Sequence, residues 1–353
     1  MVASASLPFE TKPSAPRLPE GWSAPEIVED VIAADGLSVR RAGIAITAPD
    51  GEEVTGSAAA LEDARRSGDT SPVMRARYEL LERASIVEAI RSPAMPVEIR
   101  TAAGRHVRTC IPSELFLESN EPSRWRYARS NGVAIHRDWG SACERALWEL
   151  AERDRILASW YGDIRPVPLD APLTSCAGTS SYDWSAWVFP DTRACAFSRG
   201  IDVVGVFGFP TSPEAPLAMG FAARPGTGAA LDDAMREAIQ ALAFLWGEPV
   251  PSSRPPLEPT AMGHLDYHQV RESHRVLQSW LAGDHVAFGR GDACSPVGVV
   301  GLDAVLFADL TPSWLEGELR VAMALCPSAR PLVFGDSPFG AHLPADRRVH
   351  PIC

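Results

Sequence analysis

The chain has 353 residues, 46% hydrophobic and 22% charged, which is ordinary globular usage with enough apolar material for one large or two ordinary domains. A net charge of -12 and a pI near 5.2 exclude a nucleic-acid binder that relies on phosphate contacts. Lys12 is the only lysine, so there is no Walker-type phosphate lysine, and any phosphate clamp must use arginine, helix N-termini or metal.

In chain order, residues 1–30 are rich in Pro, Ser and Ala and predict an extended or disordered arm, leaving 31–353 as a single domain. No basic segment followed by an apolar run opens the chain, so no signal peptide is expected. Leu37 to Val54 predicts a hairpin turning at Pro49-Asp50-Gly51, and the Ala-rich stretch Ser57 to Arg66 predicts a short helix. A helix follows over Ser71 to Arg91, entered through Gly68-Asp69-Thr70. Pro96 to Ile111 predicts a second hairpin with its turn at Ala103-Gly104.

The stretch from Ser130 to Gly162 predicts a short loop and then one long helix. Ser141-Ala-Cys-Glu144 fits a capping box at its start, and Gly162 fits a stop. Ala142, Ala146, Leu150, Leu157 and Tyr161 fall on one side at helical spacing and mark a buried face. Pro-rich sequence over 164–175 leads to strands at 184–189 and 194–210. Val203 to Phe209 is a continuous apolar run, as expected of a strand buried on both faces. Gly226-Thr227-Gly228 leads into a third helix over Leu231 to Trp246, with Asp232 and Asp233 favourably placed in its first turn. A Pro-rich linker (249–259), a helix near 271–282, strands at 297–301 and 303–310, and a short helix capped around Leu310 to Ser313 complete the prediction. The one long apolar run near the end, Val297 to Leu310, is broken by Asp303, so no membrane span is expected.

The chemistry concentrates on the helices. Glu149 and Glu152 lie three apart, followed by Arg153, and are surface neighbours beside the buried stripe. Taken alone, such a pattern usually marks a solvated face with weak pairing. A second copy, Glu79, Glu82 and Arg83, changes that, because two such helices can converge four carboxylates. Hard cations such as Mg²⁺ take one or two carboxylates together with substrate phosphates. The third helix carries Glu237-Ala-Ile-Gln240 at the same spacing.

Other patterns carry less. His136-Arg137-Asp138 matches a kinase tripeptide whose companion motifs are missing. Gly205 and Gly208 open no helix and are no dinucleotide fingerprint. His264 and His268 stand four apart, but no Glu follows the first and no third ligand is evident. Seven scattered cysteines without a C-x-x-C argue against zinc and fit reduced thiols, hence a cytoplasmic protein, with Cys143 a small buried hydrophobe.

Ser130-Asn131-Gly132 followed by a helix with E-L-A-E-R-D, and the upstream R-Y-E-L-L-E-R-A-S helix, resemble the YcaO family, over roughly Gly68 to Leu310. The resemblance implies an α+β fold of mixed or antiparallel sheets packed with long helices around a nucleotide site. It implies ATP and Mg²⁺ as ligands, with Glu79, Glu82, Glu149 and Glu152 as metal carboxylates. Arg83, Asn131, Arg137, Arg153, Glu237 and Gln240 would line the ATP site. In the family's best-known reaction a Cys, Ser or Thr side chain of a precursor peptide attacks the preceding amide carbon. The oxyanion then takes the γ-phosphate, and loss of phosphate leaves a thiazoline or oxazoline. The implied partners are the precursor peptide, a separate E1-like or leader-binding protein, and in some systems an FMN dehydrogenase. Thioamide or amidine formation and a non-catalytic scaffold are the alternatives. Four departures stand out. An ungapped reading places Arg137 and Ser141 where many members carry Asn and Glu, and no Arg follows Gln240, leaving Arg236 as a substitute. Gly68-Asp69-Thr70 replaces a Gly-Lys-Gly-like turn, and the tail has a single Pro351 where azoline-forming members often have P-x-P-x-P reaching the active site.

Overall fold

The structure is a computed structural model, described here for residues 18, 20–62, 71–176, 178–191, 196–283 and 305–353. Its first layer is an antiparallel sheet of β1 (Glu26–Ala34), β2 (Leu37–Thr47) and β3 (Glu53–Leu61), in that spatial order. Ala42, Ile44 and Ile46 alternate inward along β2, as a half-buried strand requires. Helix α1 (Pro72–Arg91), with proline in its first turn, packs Ala76, Leu80, Ala84 and Val87 against them. Burying a leucine such as Leu80 contributes roughly 2 kcal/mol.

The middle of the molecule is a five-stranded antiparallel sheet. It contains the hairpin β4 (Val97–Arg100) and β5 (His106–Cys110); β6 (Trp125–Tyr127) stands apart, and β7 (Val133–His136) forms one edge. Helix α2 (Trp139–Trp160) crosses this sheet and continues onto the next. That next sheet contains β8 (Val167–Pro168), β9 (Tyr182–Val188), β10 (Asp202–Pro210) and β11 (Ala218–Arg224), ordered β11-β10-β9-β8. Helix α3 (Thr227–Leu245) lies on β11 and β10. Helices α4 (Ala261–Gln269) and α5 (Arg271–Ala282) follow. Then β12 (Leu306–Asp309) and β13 (Arg320–Leu325) complete the five-stranded order β5-β4-β12-β13-β7, and β14 (Val333–Gly335) pairs with β6. This is the expected α+β architecture of antiparallel sheets and long helices.

Several expectations shift on contact with the structure. Ser57 to Leu61 is not helical. It continues β3, paired residue by residue with β2, because Gly56 and Ala58 are small enough for α1 to lie directly over one face, while Ala59 packs with α3 on the other. The arm expected over 1–30 is too long, since Glu26 already pairs with Ala45. The expected loop before α2 contains β7, and α2 begins at Trp139 rather than at a Ser141 capping box. Asp138, in extended conformation, is the cap, and its carboxylate accepts the Ser141 N–H at 2.8 Å. The helix stops as expected before Gly162, which takes φ +94°. The strand expected from 194 starts only at Asp202, after a 3₁₀ turn at Ala196–Ser198. Helix α3 starts at Thr227, four residues earlier than expected, and the helix expected after Leu310 is a 3₁₀ turn, Ser313–Leu315. The strand expected at 297–301 lies outside the described residues, and so does Gly68-Asp69-Thr70.

Three further readings hold. Every residue of β10 from Val203 to Pro210 is buried. Gly205 and Gly208 are sites of aromatic packing: a Cβ at Gly205 would meet Phe189 and Phe221, and one at Gly208 would meet Trp184. Cys143 is fully buried, and burial pushes its thiol up to about 12.

Candidate nucleotide and metal site

Two glycines bring two helices unusually close to their strands. A Cβ on Gly56 of β3 would sit 2.6 Å from the Leu80 nitrogen and press on the Ala76 carbonyl oxygen. A Cβ on Gly220 of β11 would press on the Ala234 carbonyl oxygen and the Ala238 nitrogen, and would lie 2.8 Å from the Glu237 Cβ. Relative to Glu79 and Glu237 these offsets are the same: the carbonyl three residues before and the nitrogen one residue after. The next strand residue then donates its N–H to that glutamate, Ser57 to Glu79 Oε2 at 2.7 Å and Phe221 to Glu237 Oε2 at 3.1 Å. Helices α1 and α3 therefore present E-x-x-E and E-x-x-Q in equivalent settings. Gln240 closes the arrangement by accepting the Ala59 N–H of β3 at 3.2 Å.

Helix α2 joins them by a third close approach. Gly132, at φ +69°, lies against Leu150, and its N–H donates to Glu149 Oε1 at 3.3 Å. Any side chain at Gly132 would be strained and would crowd Leu150.

The electrostatics show that the carboxylates share one cleft. Burial raises Glu82 well above the usual carboxylate range. The charges of Glu149 and Glu79 add to this, against opposing pulls from Arg83 and the Ile135 backbone. Glu149 is raised by burial and by Glu79, while Arg153, the Gly132 N–H and Arg83 oppose. Glu152 is raised well above its usual value by burial, then by Glu237 and Glu149, while Arg153 and Arg224 oppose. Loss of water pushes Glu237 up to about 7 with help from Asp233, while the Phe221 N–H, Arg153 and Arg224 pull it back. Glu237 faces the open cleft, so solvent screens part of this effect. A continuous line of acidic groups thus runs from Glu79 through Glu82, Glu149 and Glu152 to Glu237.

The expected cations divide. Arg153 sits among the glutamates, 3.5 Å from Glu149 and 3.6 Å from Glu152, and Glu149, Glu152 and Glu237 hold its charge against burial. Arg83 pairs with Glu79 at 2.6 Å at the exposed rim and donates to the Thr55 carbonyl. Arg137 is exposed just before the Asp138 cap. Arg236 pairs with Asp233 at 2.5 Å. Besides Arg153, Glu152 and Glu237 both feel Arg224, on β11, which the sequence patterns did not single out.

The next two residues of α2 face elsewhere. Asp154 is buried and accepts the Arg330 N–H, and Arg155 donates to the carbonyls of Ile201 and Ser198. The C-terminal segment reaches the cleft: Cys353 remains exposed, yet its thiol is close enough to Arg153 and Glu237 to feel both charges. His264 secures this segment. Its Nδ1 bonds the His350 carbonyl at 3.1 Å and its Nε2 accepts the Gly335 N–H at 2.8 Å, so neither nitrogen is left for a metal.

The chemistry of the cleft fits a polyphosphate and a hard cation. Asn131 Oδ1 is buried without a hydrogen-bond partner, and Arg153 Nε, buried too, has only its 3.6 Å ion pair with Glu152. Among the described residues no three His, Cys, Asp or Glu side chains are close enough to enclose an ion.

The family profile described as YcaO cyclodehydratase, ATP- and Mg²⁺-binding, matches residues 99–330. The chain belongs to the YcaO family. Its YcaO fold is shared with YcaO from Methanopyrus kandleri, solved with AMPPCP and Mg²⁺, at 18% identity, a TM-score of 0.54, and coverage of 85% of this chain and 84% of that one. The E. coli microcin synthetase McbBCD complex contains a similarly folded chain, at 12% identity, a TM-score of 0.53, and coverage of 85% and 87%. No curated protein matches the chain. ATP and Mg²⁺ are the ligands of this YcaO family. Helix α1, with Glu79 and Glu82, precedes the matched region, so its place in the cleft rests on the geometry above. No helix among the described residues is long and apolar enough to cross a membrane.

Proposed function

We propose that this protein is an ATP-dependent cyclodehydratase that activates backbone amides of a precursor peptide to form thiazoline or oxazoline rings. The observation that carries the reading is the crowding of glutamates from three helices, with the carboxyls of Glu82, Glu149, Glu152 and Glu237 raised by burial and by one another's charge, beside an unsatisfied Asn131 Oδ1. Such a cluster is costly unless a cation neutralises it. Glu79, Glu82, Glu149 and Glu152 would hold Mg²⁺ together with phosphate oxygens, Glu237 and Gln240 would border the nucleotide, and Arg83 and Arg153 would pair with phosphates. Asn131 would bond the nucleotide from the start of β7. Transfer of the γ-phosphoryl group from ATP to the amide oxygen, releasing ADP, would let that oxygen leave as phosphate, and bound Mg²⁺ would supply neutralisation of the phosphate charge. The residues of the chain would orient the groups.

A precursor peptide and a separate leader-binding partner complete the activity, with an FMN dehydrogenase as an optional third component. The microcin synthetase chain of like fold is also part of a complex. A second reading, binding without turnover, draws support from Ser141, whose backbone N–H donates to the Asp138 cap, and from the exposed Arg137. Co-expression with the candidate peptide and partner tests both. Each ring closed removes the mass of one water, and Glu149→Gln abolishes the loss. Nucleotide binding by the complex with no phosphate release and no mass change refutes the cyclodehydratase reading and leaves the second.

A further inference from the structure

The family helix pattern lacks its arginine after Gln240, and the substitute expected from sequence, Arg236, pairs with Asp233. The structure brings a different cation to that place. Arg224 is the last residue of β11, and its charge acts on both Glu152 and Glu237. Three contacts fix its guanidinium. It lies 4.8 Å from the ring centroid of Trp148, one helical turn before Glu152 on α2. It pairs with Asp233 at 2.5 Å and donates to the Ala223 carbonyl at 2.6 Å. Stacking on an aromatic face and a fixed ion pair preorganise a guanidinium for oxygen-anion ligands. A guanidinium has five N–H donors, so these contacts leave donor capacity for phosphate oxygens.

We propose that Arg224 is a phosphate-contacting residue of the nucleotide site, entering from the β11 side opposite Arg83, with Trp148 as its platform and Asp233 as its holder. The proposal rests on the reading of the cleft as a Mg²⁺–ATP site. It accounts for the missing arginine after Gln240: the charge comes from the strand beneath the helix instead of from the helix. An acidic residue at position 233 fits the same scheme, because it holds the strand arginine in place.

Calorimetric titration of the purified protein with Mg²⁺–AMPPCP and, separately, with adenosine tests this. Arg224→Met keeps the apolar stem over Trp148 and removes the donors. It should weaken Mg²⁺–AMPPCP by about tenfold to a hundredfold, the scale of lost hydrogen bonds to charged groups. Arg224→Lys should fall between, since a point charge replaces a fork. Adenosine affinity should not change in either variant, and Arg236→Ala should bind both ligands like wild type. Wild-type-like Mg²⁺–AMPPCP binding by Arg224→Met overturns the assignment while leaving the cleft a nucleotide site. Equal losses for adenosine and the nucleotide overturn it in favour of a base-packing role. If wild type binds no Mg²⁺–AMPPCP, alone or in its complex, the underlying reading fails with it.

Discussion

Substituting Gly220 by alanine tests how the cleft is built. The new Cβ would lie 2.8 Å from the Glu237 Cβ and would also press on backbone atoms of Ala234 and Ala238, none of which can rotate away. Moving only the Glu237 Cβ out to an ordinary contact of ~3.5 Å requires α3 to retreat by about 0.7 Å. The Phe221 N–H to Glu237 Oε2 bond, now 3.1 Å, would stretch to roughly 3.8 Å and cease to count as a hydrogen bond. Overpacking of this kind costs about 1–3 kcal/mol. At an unfolding entropy of ~2.1 cal/mol/K per residue, 2 kcal/mol lowers the melting temperature by about 3 °C. Two readouts follow: melting by differential scanning calorimetry, and Mg²⁺–AMPPCP affinity, which should fall about tenfold as Glu237 and Gln240 withdraw. Gly43→Ala is the control, a strand glycine whose added Cβ meets nothing within 4 Å. It should melt at or slightly above the wild-type temperature. A Gly220→Ala protein with unchanged melting and unchanged affinity would refute the close-approach argument.

Three further outcomes are expected. Glu152→Gln removes one of the crowded charges, so the ligand-free protein should gain about 1 kcal/mol. The ~2.7 kcal/mol that wild type gains at a hundred times the dissociation constant of Mg²⁺–AMPPCP should vanish in the same variant; a destabilised, fully responsive variant contradicts this. His264→Ala leaves the His350 carbonyl and the Gly335 N–H unpaired in the core and should cost about 2–4 kcal/mol, read by melting. Stability against pH has two opposing parts. Glu82, Glu149, Glu152 and Glu237 have folded pKa values raised above the usual 4.5, so their contribution is whole below 4.5 and is lost as pH rises, for Glu237 up to about 7. The buried His264, His268 and His350 are lowered, to about 3 for His268 and about 4 for His350, so their contribution is whole above 6.5 and is lost as pH falls. Once the histidine contribution is complete, ligand-free melting should therefore decline as pH rises through about 7, and saturating Mg²⁺ should flatten that decline; a slope indifferent to Mg²⁺ contradicts the cluster.

The periodic signals carried the helices. The paired E-x-x-E-R motifs and the buried stripe of α2 located α1 and α2, and Glu79, Glu82, Glu149 and Glu152 indeed share a cleft. Composition misled at Ser57 to Leu61, where an alanine-rich run is a strand because small residues let a helix lie over it, a tertiary reason invisible to propensity. Arg137 and Arg236 were drawn in by proximity along the chain to motif residues. Arg224 was overlooked because it lies at the end of a strand with no motif around it.

The order of charged and apolar residues along the chain determined which helices exist, which face each one buries and which side chains are acidic. Spacing of three and four residues is a local property, and it survives any arrangement of the helices. Which charges meet was decided by the close seating of α1, α2 and α3 at Gly56, Gly132 and Gly220. Interactions between charges fall off with distance and depend on burial, so it is packing that brings Arg153 and Arg224 to act on the glutamates.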